Sequence, residues 1–334
     1  MTNKIVTIID VARQAGVSPA TVSHALNGKR PVGAETRDKI LKVIDKLGYV
    51  PSWNASRLKE KKSGIIGCIA ADITETFVNQ IVRGIEMGLP GGGYSLLFAS
   101  SLEFGNDFQA TFNFLRSHRV DGVLFCQHIP GWNDFSKEAL KAGIPIISIN
   151  QECEGILSIV PDNYKGGYQA AEHLLSCGSK NPVFIGGPES RISSQRRFEG
   201  FSDKLKSIGK LQSNANNGEF TFNHGFDTTI RLMSEDPSID GLFCANDYIA
   251  CGAEKALRTL GIKVPDKVKL IGYDNRDFSE FWNIPITTFK QHFESMGLLA
   301  ISLMKSEIAS GTTESKVIRI PSEMIPRESS GFRA

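Results

Sequence analysis

A chain of 334 residues that is 41% hydrophobic and 22% charged has the composition of a soluble globular protein, with room for one large or two medium domains. No apolar run reaches membrane-spanning length, and the six cysteines, at 68, 126, 153, 177, 244 and 251, show no CxxC pair, so they read as reduced core thiols rather than a disulfide frame or zinc site. The net charge of +2 conceals two opposite parts: residues 1–62 hold 12 Lys and Arg against 5 Asp and Glu, a formal +7, and residues 63–334 hold 26 against 31, a formal −5. A basic head on an acidic body favours a polyphosphate partner.

In the head, Thr7 reads as the N-cap of a first helix with an acidic N3 residue, Asp10. Ile8, Val11, Ala12 and Ala15 make one apolar stripe at helical spacing, and Gly16 closes the helix. Ser18 caps a second helix with Pro19 at its first position, where a missing N–H is harmless. Val22, Ala25 and Leu26 form the face that packs on helix one, and the small Ala12, Ala15 and Ala25 permit a tight approach. The outward face is then Pro19, Ala20, Ser23, His24 and Asn27. Its short side chains let the helix sit deep in a major groove, with His24 and Asn27 reaching base edges or phosphates and Thr21 nearer the phosphates. A third helix spans 34–47, with Ile40, Val43, Ile44 and Leu47 inward and Arg37, Lys39, Lys42 and Lys46 outward. The alternative is a three-helix interaction domain whose basic faces are merely solvated; caps, small residues and charge together favour DNA.

The run Thr7-Ile-Ile-Asp-Val-Ala-Arg-Gln-Ala-Gly-Val-Ser-Pro-Ala-Thr-Val-Ser-His-Ala-Leu-Asn27 resembles the DNA-reading headpiece of the lactose/galactose repressor family. The resemblance continues through Thr36-Arg37 and Leu47-Gly48-Tyr49-Val50-Pro51 into Asn54-Ala55-Ser56-Arg57-Leu58-Lys59, which is similar to that family's hinge helix, and later segments match to the C-terminus. It implies DNA contacts from Thr7, Ser18, Pro19, Ala20, Thr21, Ser23, His24 and Asn27 in the head and from Asn54, Ala55, Leu58 and Lys59 in the hinge. It also implies a dimer whose heads occupy two half-sites of a double-stranded operator while paired hinge helices wedge Leu58 into the minor groove. Leu58 could be an ordinary helix contact, but Lys59, Lys61 and Lys62 around it suit a wedge that kinks a duplex better than a buried core.

Beyond residue 62, short apolar runs alternate with amphipathic stretches, the pattern of a parallel sheet with crossover helices. Strands are expected near 65–70, 95–99, 122–126, 145–149, 182–186, 241–245 and 268–272, and helices over 77–88, 108–118, 165–177, 196–208, 248–260 and 293–309. The fold class expected is an all-α helix-turn-helix headpiece with a hinge helix, then an α/β core of two parallel-sheet subdomains, which the resemblance likens to a periplasmic sugar-binding protein. The division expected is a headpiece at 1–48, a hinge at 49–62, one subdomain from 63–162 with 291–320, and the other from 163–290 with 321–334. The flexible joint suggested is Tyr49 to Ser63.

Parallel sheets bind ligands beyond the carboxyl ends of their strands. That rule selects Asp72 and Thr74, Ser100 and Ser101, Gln127, Asn150, Ser193 with Arg197, Asn246 with Asp247, and Asp274 with Asn275. Polyols need such bidentate donors and acceptors beside an aromatic face, and Phe77, Phe220 and Trp282 are available. The resemblance adds Gln291 and singles out Arg197, Asn246 and Asp274 as effector contacts. Arg197 alone could be a solvated helix arginine, but one turn into a helix at the cleft and facing Asp274 it reads as a charged clamp. Asp247 reads better as the N-cap of the following helix and Asn275 as a turn residue. Phe77 and Phe220 read equally as core.

No GxSxG, Walker A, HExxH or His/Cys ligand set is present, and Gly91 to Gly93 precede a strand instead of opening a helix, so no enzyme activity, cofactor or metal is expected. The reading is a cytoplasmic, ligand-controlled repressor of carbohydrate-use genes with a small sugar effector and no membrane partner. Alternatives are a purine-type corepressed regulator, for which Thr76-Phe77 offers one aromatic of the bracketing pair, a regulator gated by a phosphorylated carrier protein, and a sugar-binding protein without a DNA role. With no further heptad-patterned helix after Pro326-Arg327-Glu328-Ser329-Ser330, a homodimer is expected.

Overall fold

Side-chain caps set where the first helices begin in the computed structural model, which describes residues 6–27, 30–49, 62–127, 132–210 and 216–331. Asp10 Oδ2 accepts from the backbone N–H and the hydroxyl of Thr7 at 3.0 and 2.7 Å, opening α1 (Ile8–Ala15). Gly16 ends it at φ 67°, a left-handed conformation that side chains disfavour. Ser18 Oγ accepts from Thr21 N–H at 3.1 Å at the start of α2 (Pro19–Asn27). Val11, Ala12, Ala15, Val22 and Ala25 meet Ile40 of α3 (Ala34–Leu47) in one small core. Tyr49, expected in the joint, is only 9% exposed and belongs to this core. Faces built largely of alanine and valine leave volume that an aromatic ring fills.

In the body the apolar runs become β1 (Ile65–Ala70), β2 (Ser95–Ser100), β3 (Gly122–Phe125), β4 (Ile146–Ile149) and β5 (Leu157–Pro161), all parallel. A second, three-stranded parallel sheet follows from β6 (Pro182–Ile185), β7 (Gly241–Cys244) and β8 (Lys269–Ile271). After β9 (Thr288–Lys290), β10 (Val317–Ile320) returns to the first sheet, giving the order β10-β5-β4-β3-β1-β2, and β11 (Glu323–Ile325) pairs antiparallel with β9. The chain therefore passes between the lobes after β5, after β9 and after β10. The expected strands fall within about two residues of those observed, because the strands of a largely buried parallel sheet read as near-continuous apolar runs. The four strands not expected, β5 and β9 to β11, are three to five residues long. They end in proline or carry exposed residues, and are too short for either period to stand out.

The crossover helices are α4 (Thr76–Gly88), α5 (Phe108–Ser117), α6 (Trp132–Lys141), α7 (Asn163–Ser176), α8 (Ile192–Lys206), α9 (Phe222–Glu235), α10 (Asp247–Thr259), the short α11 (Asp277–Glu280) and α12 (Phe293–Ser310). In the first lobe α4 and α12 cover one face of the sheet, through Ile81, Ile85, Met296 and Ile301, and α5 and α6 the other, through Phe112, Leu115 and Phe135. In the second, Phe184, Phe201, Phe243 and Tyr273 form the centre of a single core. Three helix pairs approach until backbones touch. A Cβ on Gly84 would overlap the carbonyl of Glu294 and one on Gly297 that of Ile81; Gly167 and Gly200 do the same to Arg197 and Tyr164, and Gly225 and Gly252 to Ile249 and Phe222.

The start of the body is tied to the first lobe. Asp121 accepts from Ser63 N–H and Gly64 N–H at 2.8 and 2.7 Å, and Lys62 Nζ donates to the Ile308 carbonyl, in the last turn of α12, at 3.0 Å. Among the described residues no helix is long and apolar enough to cross a membrane. The six cysteines are free thiols, five of them buried.

Candidate ligand cleft and DNA-facing helix

Strand ends of both lobes converge on one cleft of 670 Å³. Asn150 follows β4, Asp162 and Asn163 follow β5, Asn246 follows β7, Asp274 and Asn275 stand beyond β8, and Gln291 follows β9. Asn150, Asp274 and Asn275 hold positive φ, at 73°, 105° and 49°. The consecutive pair is sustained by its neighbours: Asp274 N–H donates to the Phe289 carbonyl at 2.9 Å and Asn275 Oδ1 accepts from Arg327 Nη2 at 2.8 Å.

Arg197, 4% exposed, is the fixed point of the cleft. Its Nε donates to Asn163 Oδ1 at 2.9 Å, its Nη1 to the Ala245 carbonyl, and its Nη2 lies 3.7 Å from Asp274 Oδ1. The guanidinium also stacks on the Tyr273 ring at 3.6 Å, worth about 2 kcal/mol when desolvated. A buried charge is tolerated only with such partners. Gly166, packed against Tyr273, and Gly167, packed against the Arg197 carbonyl, let α7 approach closely enough to complete the arrangement. Gln291 Nε2 donates to the same Asp274 Oδ1 at 2.6 Å. Burial raises the Asp274 carboxyl, against the lowering charges of Arg197 and Arg276 and the Gln291 bond. Among the described residues Asp274 Oδ2 accepts no bond, so the cluster presents a free acceptor beside a fixed cation.

Asn246, not Asp247, caps α10: its Oδ1 accepts from Ile249 N–H at 2.9 Å, which leaves Nδ2 as the group it presents. Asp247 stands one residue later, fully buried, accepting from the Thr288 hydroxyl at 2.6 Å and from Arg276 N–H at 2.7 Å. Burial and the charge of Asp274 push its carboxyl up to about 7, against the Thr288 and Arg276 bonds and Arg327. A carboxyl raised above its unfolded value of ~3.9 stabilises the fold while protonated, fully so below that value, and the gain is lost as pH rises through about 7. Between about pH 8 and about pH 5 the wild type should therefore gain on the order of 2 kcal/mol relative to Asp247→Asn. Chemical denaturation of both proteins across that range measures it, and a difference that does not vary with pH would contradict the assignment.

Of the residues singled out from the sequence, Phe77, Asn150, Ser193, Arg197, Phe220, Asn246, Asp274 and Gln291 line the cleft together, Phe77 packing on Phe293 at 5.7 Å between centroids. Asp72 does not line it: Thr74 donates to Asp72 Oδ1 from its N–H at 2.8 Å and its hydroxyl at 2.7 Å, so the carboxylate is consumed by a turn, and these bonds lower it. Ser100, Ser101 and Gln127 are likewise off the cleft, bonded to Ala71, Asn106 and Ala71. Trp282 is turned to other work, donating from Nε1 to Glu254 Oε2 at 3.0 Å and stacking on Phe222. Asn275 holds the turn and also lines the cleft. Asn163, Arg191, Arg276 and Tyr273 were not selected. The strand-end rule finds Asn163 once β5 is recognised, and Arg191 once α8 is seen to begin at Ile192, not at 196.

On the head, Pro19 and Ala20 are exposed at the start of α2, with Thr21, Ser23 and His24 half-buried along it. The Thr7 hydroxyl is bonded to Asp10, and the Ser18 and Thr21 hydroxyls to each other at 2.8 Å, so these three set helix geometry whatever else they touch. The side chain of Asn27, and Asn54, Ala55, Leu58 and Lys59, lie outside the described residues.

The chain matches two family models: residues 7–52 the one described as bacterial regulatory proteins, lacI family, and residues 63–328 the one described as periplasmic binding proteins and sugar binding domain of LacI family. It is 32% identical over 298 residues to the HTH-type transcriptional regulator DegA of Bacillus subtilis (strain 168), covering 87% of this chain and 88% of that protein. To the HTH-type transcriptional repressor PurR of Histophilus somni (strain 129Pt) it is 31% identical over 332 residues, covering 97% and 98%. Its fold is similar to a crystal structure of the Lac repressor dimer bound to operator and the anti-inducer ONPF, with a TM-score of 0.85 at 26% identity, covering 98% of this chain and 99% of that one.

Proposed function

The chain belongs to the LacI family of bacterial regulatory proteins, DNA-binding transcriptional regulators rather than enzymes, and on that premise we propose that it is a dimeric repressor of carbohydrate-use genes with a small sugar effector in its cleft. The observation that carries the reading is the Arg197–Asp274–Gln291 cluster, which joins strand ends of the second lobe to the β9 crossover. With Asp274 Oδ2, Asn246 Nδ2 and the Ser193 hydroxyl unbonded among the described residues, it offers the alternating donors and acceptors that vicinal hydroxyls require, in a cleft also lined by Phe77 and Phe220. The two lobes act as subdomains, 63–162 with 291–320 and 163–290 with 321–334. A ligand bound to both biases their relative rotation. Because Lys62 to Gly64 are anchored on the first lobe, that rotation moves the segment leading to the DNA-reading heads.

A purine-type corepressed regulator is the second reading. It is favoured by Phe77 and Phe220 lining the same cleft from opposite lobes, which supplies the aromatic pair that Thr76-Phe77 alone does not. A thermal-shift screen of sugars and nucleobases on the purified chain separates the two: stabilisation by sugars supports the first, and stabilisation by nucleobases alone replaces it with the second.

On DNA, the +7 head doubled in a dimer gives binding to a near-palindromic operator that weakens steeply with salt. Leu58→Ala should lose specific operator affinity by roughly tenfold or more while sugar binding persists, since the wedge energy is that of an inserted apolar side chain. Fluorescence anisotropy on an operator duplex measures it, and parental affinity in the variant would remove the wedge role.

A further inference from the structure

Two guanidinium groups in the cleft have no hydrogen-bond or ion-pair partner among the described residues. Arg276 lines it just beyond the Asp274–Asn275 turn, with a buried Nε that bonds to nothing and a guanidinium carbon 5.5 Å from the Tyr248 ring centroid. The residue is partly exposed and its charge bears on Asp274, but the buried Nε itself has no acceptor, and a buried donor left unpaired is costly, which suits a group that arrives. Arg191 is the N-cap residue of α8, a 15-residue helix with no side-chain cap. The N–H groups of Ile192 and Ser193 in that first turn have no intrahelical acceptor, so the positive end of the helix dipole opens on the same cleft.

Most of the other charges there are matched. Arg319 is held by Glu152 at 2.7 Å, Arg196 by Glu199 at 2.8 Å and Arg197 by Asp274, while Asp162 caps α7 through Lys165 N–H at 3.0 Å. Asp277 is exposed and makes no ion pair among the described residues. A neutral sugar matches Asp274 and Asn246 but leaves both free guanidinium groups and the open helix end unanswered.

We infer that the effector carries an anionic group, a carboxylate or a phosphate on a polyol frame, received by Arg276, Arg191 and the N-terminus of α8, while Arg197, Asp274 and Asn246 hold its hydroxyls. This rests on the sugar reading of the same cleft.

Thermal melting of the full chain tests it, in glucose, gluconate, glucuronate, glucose 6-phosphate and inorganic phosphate at equal ionic strength. The anionic probes should stabilise the wild type at concentrations at least roughly tenfold below glucose, and Arg276→Gln and Arg191→Gln should each weaken that response by about tenfold or more, with Arg276→Lys restoring part of it. A response to gluconate and glucuronate alone identifies a sugar acid, and one to glucose 6-phosphate and inorganic phosphate alone a sugar phosphate. Should Arg276→Gln fail to fold, Arg191→Gln, at an exposed residue, makes the same comparison. No response of the wild type to any anionic probe, or an undiminished response in the glutamine variants, overturns the inference. Stabilisation by glucose without any response to the anions overturns it while leaving the sugar reading intact, and stabilisation by nucleobases alone removes both.

Discussion

Gly200→Ala is expected to lower the unfolding free energy by about 3 kcal/mol, although helix propensity alone favours alanine by about 1 kcal/mol. The sign follows from where the new methyl must go. It would overlap the carbonyl of Tyr164, and the reciprocal Gly167 already stands against the carbonyl of Arg197, so neither helix can yield by rotating a side chain. The pair must move apart, opening the core around Ala170, Ala171 and Phe201. For a body of this size the melting temperature should fall by roughly 6 to 12 °C. A melting temperature equal to or above the wild type would show that the helices separate freely. Gly167→Ala carries a second consequence, because it displaces the backbone of Arg197 itself: ligand affinity should fall together with stability.

Asp274→Asn and Arg197→Ala are expected to weaken effector binding by ~1.5 to 3 kcal/mol, about ten- to a hundredfold. Asparagine keeps an oxygen for Gln291 Nε2 but removes the negative charge that faces Arg197 and the free carboxylate acceptor at Oδ2. Arg197→Ala removes the cation and leaves Asn163 Oδ1 and the Ala245 carbonyl without their donor. Isothermal titration with the ligand found by screening measures both. Unchanged affinity in the two variants would take these residues out of the site, and with them the case for a sugar.

The cleft was legible in the sequence wherever a strand was legible. Asn150, Asn246 and Asp274 follow β4, β7 and β8, whose mostly apolar runs mark them, and the strand-end rule then names the residue that faces the ligand. Asn163 was hidden because β5 is a short run ending in Pro161, and Arg191 because α8 opens on Ile192 after an arginine N-cap that makes no side-chain cap. Asp72 shows the rule's limit: a strand end can spend its carboxylate on its own turn. The exchange of Asn246 for Asp247 at the cap is a one-residue question of register, settled by which side chain reaches Ile249 N–H. Tyr49 belongs to the head because of the volume its core leaves open, a property of three helices packed together and not of any local pattern. The close approaches at Gly84, Gly167 and Gly225 are equally invisible from one helix, since each needs its partner's carbonyl to give the glycine a reason.

Coupling between the cleft and the DNA-reading heads is tested most directly by titrating a labelled operator duplex with the wild type and with Asp274→Asn, each with and without the identified effector. The effector should shift the wild type's operator affinity by about 1 to 3 kcal/mol, roughly 5- to 150-fold. At an effector concentration near the wild type's Kd, Asp274→Asn, which binds ten- to a hundredfold more weakly, should stay largely unoccupied and bind operator close to the affinity of the ligand-free wild type. An effector that fills the cleft yet leaves wild-type operator affinity unchanged, or a shift that persists in full in the variant, would contradict control of the operator from this site.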